Sequence, residues 1–408
     1  MADSTGAYGG PDNETSPYEE LTVEDENALT EDELGDLVNR SMARIETIRG
    51  LSFEEQISVE VISREEFDAT TSSAATDADW ENLRWQALFV IGHDRDATEV
   101  LSDALDEGVQ GYYSPANNEI VLVSDSETAA VNKHTLVHEL VHALQDQQLT
   151  LSSNATTHDE GLAFESVIEG EAELLPELYL NRCEIEWSCI QPDGDAGAGA
   201  EIETGVQLML LKPYERGPAF VDEIRDQGGW DAVDDLYDQP PESSTQIIHS
   251  DFYPEQSPTE LDIADKSTGN WSPMDGPYPE TFGEAAIFSM FAHNELFTTT
   301  DPFSYTHQYS DGWAGDAFVP YEYDGESANV ERGYIWEIEW QSEGDATEFA
   351  SAYERLLDDE GALERGGEAV RVPDGPFAGG YQVTQDGTTV TIVHGPSVSS
   401  LEEIHSGS

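Results

Sequence analysis

The stretch KHTLVHELVHALQDQQ, residues 133–148, constrains the fold more than any other part of the chain. Its apolar residues lie nearly all around a helix, which predicts a helix buried in the core. It also carries three histidines at four-residue intervals, His134, His138 and His142, with Glu139 beside the middle one. Because polar groups in a buried helix cost free energy unless a partner satisfies them, these side chains are expected to bind something.

The pattern His138-Glu139-x-x-His142 places two imidazoles one turn apart on one face, within reach of a single tetrahedral ion. The cofactor that this pattern predicts is Zn²⁺. Glu139 projects beside such an ion rather than onto it, so it is the candidate general base. His134 lies one turn earlier, where a third ligand from the same helix is hard to place, and is interpreted as a flanking or supporting residue. The alternative is an amphipathic helix that happens to be rich in histidine.

The third protein ligand has to come from another segment, and ESVIEGEAELL supplies the candidates. Glu165, Glu169 and Glu173 share one helical face at four-residue spacing, whereas Glu171 points away. Gly170 is unfavourable inside a helix and is expected to permit close approach to the histidine helix, which favours Glu169 as the ligand. Glu173 could then accept the outer ring N–H of a ligand histidine. Glu165 or Glu173 as ligand, and a merely solvated acidic face, remain alternatives.

The helix TLVHELVHAL, followed by a glutamate-bearing helix, resembles the gluzincin clan of zinc metallopeptidases. In that clan a glutamate is the third ligand and an acidic residue four positions later orients a histidine. The resemblance therefore implies these roles for Glu169 and Glu173, with glutamate at position 173 where the clan more often has aspartate.

Longer motifs extend this resemblance to roughly residues 80–360. With GYYSPANNEIVLV, VIEGEAEL, PPESSTQIIHSDFYP, FGEAAIFSMF and GWAGDAF, the chain is similar to a group classed as metallopeptidases in actinobacteria, chloroflexi and haloarchaea. Its haloarchaeal branch is described as surface proteins. The resemblance implies a zincin-like hydrolase with a peptide or protein substrate.

His249 and Tyr253 stand in a segment rich in serine and proline, which predicts a loop facing the cleft. In zinc peptidases a neutral His or Tyr can stabilise the oxyanion that forms when water attacks the carbonyl, so both are catalytic candidates. The other interpretation of His249 is a structural histidine that caps a loop.

The fold class that the pattern predicts is α+β, a mostly helical zincin-like metallohydrolase with a β-hairpin before the histidine helix. That hairpin is GYYSPANNEIVLVS, and YQVTQDGTTVTIVHG forms another around Asp-Gly. The predicted organisation is an acidic disordered tail over residues 1–28, a metallopeptidase domain over 29–360, and a C-terminal hairpin and tail over 361–408.

The charge balance is extreme, with 86 acidic against 16 basic residues and a formal net charge of −70. A hydrophobic content of 38% with eight Trp, sixteen Tyr and fourteen Phe argues against disorder of the whole chain. A carboxylate-covered surface suits molar salt, where the Debye length is about 3 Å, and indicates an extremely halophilic archaeon. Because nucleic acid and anionic membranes would be repelled, neither is expected as a partner.

The compartment is open between two alternatives. No stretch is as long as a membrane span and the N-terminus has no basic-then-apolar signal, which taken literally means cytoplasm. Cys183 and Cys189, however, could close a small loop by disulfide in an oxidising compartment, unless they are two unrelated buried thiols. With four Asn-x-Ser/Thr sequons and the resemblance above, they favour an extracellular or cell-surface protein.

A function from a different class competes with catalysis. A non-catalytic surface or structural protein could keep the metal as a staple or retain a vestigial site. Because a structural metal site needs no base, the presence of Glu139 separates the two functions only in part. The substrate, its cleavage specificity and the oligomeric state are not predicted by the sequence.

Overall fold

The structure is a computed structural model that describes residues 6–10, 13–26, 29–68, 78–124, 131–190, 204–276, 279–325, 331–364 and 369–406. The described chain is α+β, as the sequence predicts. Its helices are Glu31–Arg49 (α1), Arg64–Asp68 (α2), Ala78–Ala87 (α3), Ala97–Gly108 (α4), Lys133–Gln148 (α5), His158–Ile185 (α6), Thr204–Gly228 (α7), Trp230–Asp238 (α8), Ser244–Ile248 (α9), Gly283–His293 (α10), Glu343–Asp359 (α11) and Val398–Ile404 (α12). Within the described ranges, no helix combines the length and apolarity needed to cross a membrane.

The first sheet packs against α1 and α5 through one apolar core. Its strands are Gly6–Gly9 (β1), Gln56–Ser63 (β2), Gly111–Ser114 (β3) and Glu119–Ser124 (β4). They lie in the order β1-β2-β4-β3, with β2 and β4 parallel and the outer strands antiparallel to them. The predicted hairpin before the histidine helix is thus present as β3 and β4.

The prediction that residues 1–28 form a disordered tail is wrong for Gly6–Gly9. This strand pairs with β2 over Gln56–Val59, and the Gly9 N–H donates to Asn39 Oδ1 at 2.8 Å. GAYG offers a single large side chain, so it carries no alternating pattern from which a strand could be predicted. Its partner strand lies some fifty residues away and supplies the pairing.

Local capping signals define where the helices of the candidate site begin. The Asn132 side chain accepts from the backbone N–H groups of His134 and Thr135 at the start of α5. Thr157 and Glu160 form a reciprocal capping box at the start of α6. These caps satisfy N–H groups that have no partner inside the helix, which favours the observed starting points.

Gly170 permits a close helix crossing, but its partner is not the predicted one. It faces Gly217 of α7, and a Cβ on either glycine would lie well inside van der Waals contact with the other helix. The prediction that Gly170 faces the histidine helix is therefore wrong. Successive helical residues are rotated by about 100°, so a residue next to Glu169 faces a different neighbour. The crossing brings α7 close to α6.

Among the described strands of the second sheet, all pairs are antiparallel. Its order is β5-β6-β7-β11-β10-β9-β8, and α10 and α11 pack on one face with α12 on the other. The strands are Trp271–Pro273 (β5), Trp313–Tyr323 (β6), Arg332–Trp340 (β7), Leu363–Glu364 (β8), Ala369–Val372 (β9), Gly379–Asp386 (β10) and Thr389–Gly395 (β11).

The predicted boundary at residue 360 cuts through this sheet and is wrong. The β10–β11 hairpin around Asp386-Gly387 is present as predicted, but β11 pairs with β7 from Thr389 to His394. The hairpin is therefore an inner part of the sheet rather than a separate C-terminal unit. The residues of the hairpin predict its turn. They do not predict that β7, which is distant in the sequence, pairs with β11.

Basic residues, which are scarce in this chain, make internal contacts. Lys133 Nζ donates to the Ile190 carbonyl at 2.9 Å, and Lys212 is fully buried. Cys183, in the last turn of α6, forms a disulfide with Cys189, which closes a small loop at the end of that helix. Arg44 donates to the Ser188 carbonyl inside this loop at 3.0 Å. The acidic surface is thus built over an interior that retains positively charged groups.

Candidate metal centre

Helices α5 and α6 bring three ligand atoms to one point. His138 Nε2 and His142 Nε2 lie 3.0 Å apart, and Glu169 Oε2 lies 3.3 Å from each of them. A tetrahedral zinc ion with bonds of about 2.0–2.1 Å separates neighbouring ligand atoms by about 3.4 Å. The three atoms therefore have the spacing of one face of such a tetrahedron.

His138, His142 and Glu169 are called the trio below. The contacts of their outer ring nitrogens direct lone pairs of the trio at one another, and a cation between them would remove this repulsion. His142 Nδ1 lies 2.9 Å from Gln145 Oε1 and His138 Nδ1 lies 3.1 Å from Glu173 Oε1. If each Nδ1 carries the proton, both Nε2 lone pairs point at each other and at Glu169. Glu169 Oε2 is buried and has no other hydrogen-bond partner. The donor set and its geometry fit zinc.

Without a bound cation, the histidines of the trio are protonated more easily than a free imidazole and balance the charge of Glu169. Burial by itself lowers the pKa of His138, but hydrogen bonds to Glu169 and Glu173 outweigh it and raise that pKa to about 10. Burial raises the pKa of Glu169, yet hydrogen bonds from both histidines bring it down to about 2. The same atoms that would bind a metal thus form a compact ion-paired cluster without it.

Glu173 and His134 lie beside the trio without joining it. Glu173 Oε2 is 3.4 Å from His134 Nε2, while its other oxygen faces His138. The His134 side chain is 39% exposed and lines the adjacent cleft. Glu165, an alternative ligand, has no carboxylate oxygen in the group of potential metal ligands found among the described residues. The structure therefore brings together the ligand set that spacing favours.

A buried polar network supports His142 from behind, and the sequence did not reveal it. Gln145 Nε2 donates to the Tyr237 hydroxyl at 2.8 Å and to the Ile168 carbonyl at 2.9 Å. Glu171 is not part of the trio, consistent with the prediction that it points away, and it is buried and paired with Arg49. Gln145 is one of three glutamines in α5, so its residue type alone did not mark it as the partner of His142.

Glu139 lies in the wall of the cleft with a backbone donor on its carboxylate. The donor is the N–H of Tyr113 in β3. Burial raises the pKa of Glu139, although His138 and His142 pull it down. A carboxylate in this environment is a more effective proton acceptor than one in water.

The cleft beside the trio has a volume of about 430 Å³. Tyr214 of α7 lies over His138, with ring centroids 6.2 Å apart and planes inclined by 21°. The residue is 41% exposed and lines the cleft. No sequence motif marked Tyr214, because the α6–α7 crossing positions it. The remaining lining includes Ala104, Val109, Gln110, Gly111, Thr135, Gln207, Leu210 and Leu211.

The structure does not bring His249 or Tyr253 to the trio. The segment forms α9 and a short 3₁₀ turn, Ser250–Phe252, rather than a loop facing this cleft. His249 Nε2 lies 2.9 Å from Glu284 Oε1, and the Tyr253 hydroxyl donates to the Gln239 carbonyl at 2.6 Å. Neither residue lines the cleft beside Glu139. Their expected oxyanion role is not supported by this placement.

Comparison with known proteins identifies one similar family. Residues 273–405 match the family model described as Domain of unknown function (DUF8575). The match spans β5 to α12 and does not include the trio. No curated protein and no solved structure matches the chain. The match therefore assigns no activity, and a function has to be argued from the site.

Proposed function

We propose that this protein is a zinc-dependent metallohydrolase of gluzincin-like, zincin-type fold that cleaves peptide bonds. One observation carries the proposal: two Nε2 atoms and one carboxylate oxygen converge at 3.0–3.3 Å beside a cleft whose wall contains Glu139. A hairpin followed by the histidine helix and then the glutamate helix is the order that the resemblance implies.

Each residue of the site has a separate task. His138, His142 and Glu169 would hold zinc, which supplies Lewis-acid polarisation of water and of a carbonyl. Glu139 takes a proton from the attacking water and delivers it to the leaving amine. Burial, with nearby glutamates, raises the pKa of Tyr214, so its hydroxyl stays protonated and donates to the substrate oxygen as negative charge develops.

The edge of the first sheet supports a peptide as the substrate. Among the described strands, β3 pairs with β4 on one side only, and the Tyr113 N–H on its other edge faces Glu139 in the cleft. Thr135 of α5 lies against Gly111 at the start of this strand. An extended peptide can add to such an edge through main-chain hydrogen bonds. Its scissile bond would then pass along the cleft beside Glu139.

Three variants and two matched controls test the reaction in about 2 M KCl. Glu139→Gln removes the base without removing a ligand, so it should keep zinc and lose peptide hydrolysis. Glu169→Gln should lose zinc as well. Glu177→Gln, on an exposed position of the same helix α6, is the matched control and should behave as wild type. Tyr214→Phe should reduce kcat while zinc content stays unchanged, whereas Tyr253→Phe should leave both unchanged.

The outcomes also separate the rival function. A Glu139→Gln protein that cleaves a peptide library as fast as wild type excludes Glu139 as the base. A wild-type protein that retains zinc but cleaves no peptide in the library favours the non-catalytic surface or structural protein.

We infer that the protein works at the cell surface or outside the cell. The Cys183–Cys189 disulfide supports this location, since disulfides persist in oxidising compartments. Alkylation in intact cells before lysis tests it. Both cysteines should escape labelling until reductant is added, and labelling without reductant would favour the cytoplasm.

A further inference from the structure

A second group of ligand atoms lies apart from the trio. His249 follows α9, Glu284 lies in the first turn of α10, and Asp311 lies in the turn before β6. Each of these side chains places one ligand atom within 4.8 Å of the other two. His249 Nε2 lies 2.9 Å from Glu284 Oε1. Three elements that are distant in the sequence thus meet at one nitrogen and two carboxylates.

Glu284 has a buried carboxylate oxygen that a bound ion would satisfy. Its side chain is 0% exposed, and its Oε2 has no hydrogen-bond partner in the structure. The hydroxyl of neighbouring Thr245 lies close enough to lower the pKa of Glu284, but it does not reach hydrogen-bond geometry with this oxygen. A buried carboxylate oxygen that lacks a partner is costly, and such groups in native proteins usually have an ion or a water molecule beside them.

The neighbouring cations direct their hydrogen bonds elsewhere. Lys212 Nζ donates to Ser166 Oγ at 3.3 Å, and Arg216 Nη2 donates to the Ile248 carbonyl at 3.0 Å. Asp311 accepts the His307 N–H through Oδ1 at 2.9 Å, which leaves its second oxygen available. The His249 side chain is 28% exposed, so an ion can enter from solvent.

We propose that His249, Glu284 and Asp311 form a second cation site for a divalent ion that accepts one imidazole and two carboxylates, such as Mn²⁺ or Zn²⁺. This mixed nitrogen and oxygen donor set is typical of such ions. The ion would hold α9, α10 and the start of β6 together. Because it binds only the folded chain, it would stabilise the fold by mass action. The site is independent of the trio and of the proposed peptidase activity.

Metal stoichiometry tests the second site. Full-length protein is stripped with chelator in about 2 M KCl, dialysed against Zn²⁺ or Mn²⁺, and measured by elemental analysis. Wild type should bind two equivalents of Zn²⁺. Asp311→Asn, at a half-buried position where the amide oxygen can still accept the His307 N–H, should bind one equivalent. Glu169→Gln should also bind one, and the double variant none. Asp251→Asn, an exposed carboxylate two residues from His249, is the control and should bind two.

A second readout separates loss of a ligand from loss of the fold. In the Glu169→Gln background, added Mn²⁺ should raise the melting temperature, and His249→Gln or Asp311→Asn should abolish that increase. Affinity at the second site should fall more than about tenfold in either variant, since even residues that only support a metal ligand contribute that much. The proposal is overturned if His249→Gln and Asp311→Asn bind as much metal as wild type, or if added Mn²⁺ does not raise the melting temperature of Glu169→Gln.

Discussion

His142 Nδ1 lies 2.9 Å from Oε1 of Gln145, one turn later in the same helix. The Gln145 amide nitrogen is held in turn by the Tyr237 hydroxyl and the Ile168 carbonyl. Because the glutamine amide is oriented by these acceptors, its oxygen faces the imidazole. The proton of His142 is then held on Nδ1, and the Nε2 lone pair is directed at His138 and Glu169.

Gln145→Met should weaken zinc binding by about 10–100-fold while the three ligands stay in place. Methionine keeps the length of the side chain but removes the acceptor that orients His142. Competition with a chromophoric chelator measures the affinity. Gln148→Met, a half-buried glutamine of the same helix, is the control and should bind zinc as wild type does. Equal affinities for the two variants would show that Gln145 does not position His142.

Local signals predicted much of the fold and the ligand trio. The apolar stretch predicts a helix where α5, Lys133–Gln148, is observed, although not its bounds. Thr30 with Glu33 predicts the capping box that starts α1. The four-residue spacing predicted that Glu169 and Glu173 lie near the histidines, because residues four apart share one face of a helix. These features involve residues that are close together in the sequence.

Features that depend on distant pairings were missed. Tyr214 reaches the cleft because Gly170 and Gly217 let α7 approach α6. The sequence does not indicate that these two glycines contact each other. Glu171 was expected only to point away from the ligand face, and its pairing with Arg49, 122 positions away, left no local signal. His249 was associated with the wrong cluster for the same reason, because Glu284 comes from α10.

Gly170→Ala should destabilise the fold by about 1–3 kcal/mol, because the added methyl meets the backbone of Gly217 and forces the helices apart. Gly161→Ala is the matched control in the same helix, since a Cβ there has no heavy atom within 4 Å. Alanine is the better helix former, so this control should be neutral or stabilising by up to about 1 kcal/mol. Denaturant unfolding in high salt measures both. Equal effects of the two substitutions would contradict the close crossing.

His394 should make the fold sensitive to mild acid. It is 3% exposed, and burial lowers its pKa to about 4 although the Gly380 carbonyl at 3.1 Å favours the charged form. In the unfolded chain its pKa is about 6.5. Between these two values the unfolded chain binds a proton that the folded chain excludes. The free energy of unfolding should therefore fall as the pH is lowered through this window.

His394→Phe should remove this contribution. The free energy of unfolding should fall in both proteins between pH 7 and pH 4.5, because both contain the same titrating carboxylates. The fall should be about 2 kcal/mol smaller in His394→Phe than in wild type, because the variant lacks the buried imidazole. Denaturant titrations at the two pH values measure the difference. Parallel losses in variant and wild type would show that His394 is not held neutral.

Salt and chelator should act on stability separately. The net charge of −70 implies strong self-repulsion in the folded state when the Debye length grows to about 10 Å at 0.1 M salt. The melting temperature should therefore rise steeply between about 0.1 M and 2 M KCl, and chelator should lower it at every salt concentration. A melting temperature that does not change with salt would contradict the halophilic interpretation. One that responds to salt but not to chelator would leave that interpretation and remove the metal.

The most direct test of the metal centre is anomalous diffraction at the zinc absorption edge from crystals of zinc-loaded protein. A peak is expected about 2.0–2.1 Å from His138 Nε2, His142 Nε2 and Glu169 Oε2. Glu169→Gln crystals grown under the same conditions should lack this peak. If the wild-type map shows no peak between these three atoms, while the imidazoles remain hydrogen-bonded to Glu169, the trio is a buried ion-pair cluster and not a metal site.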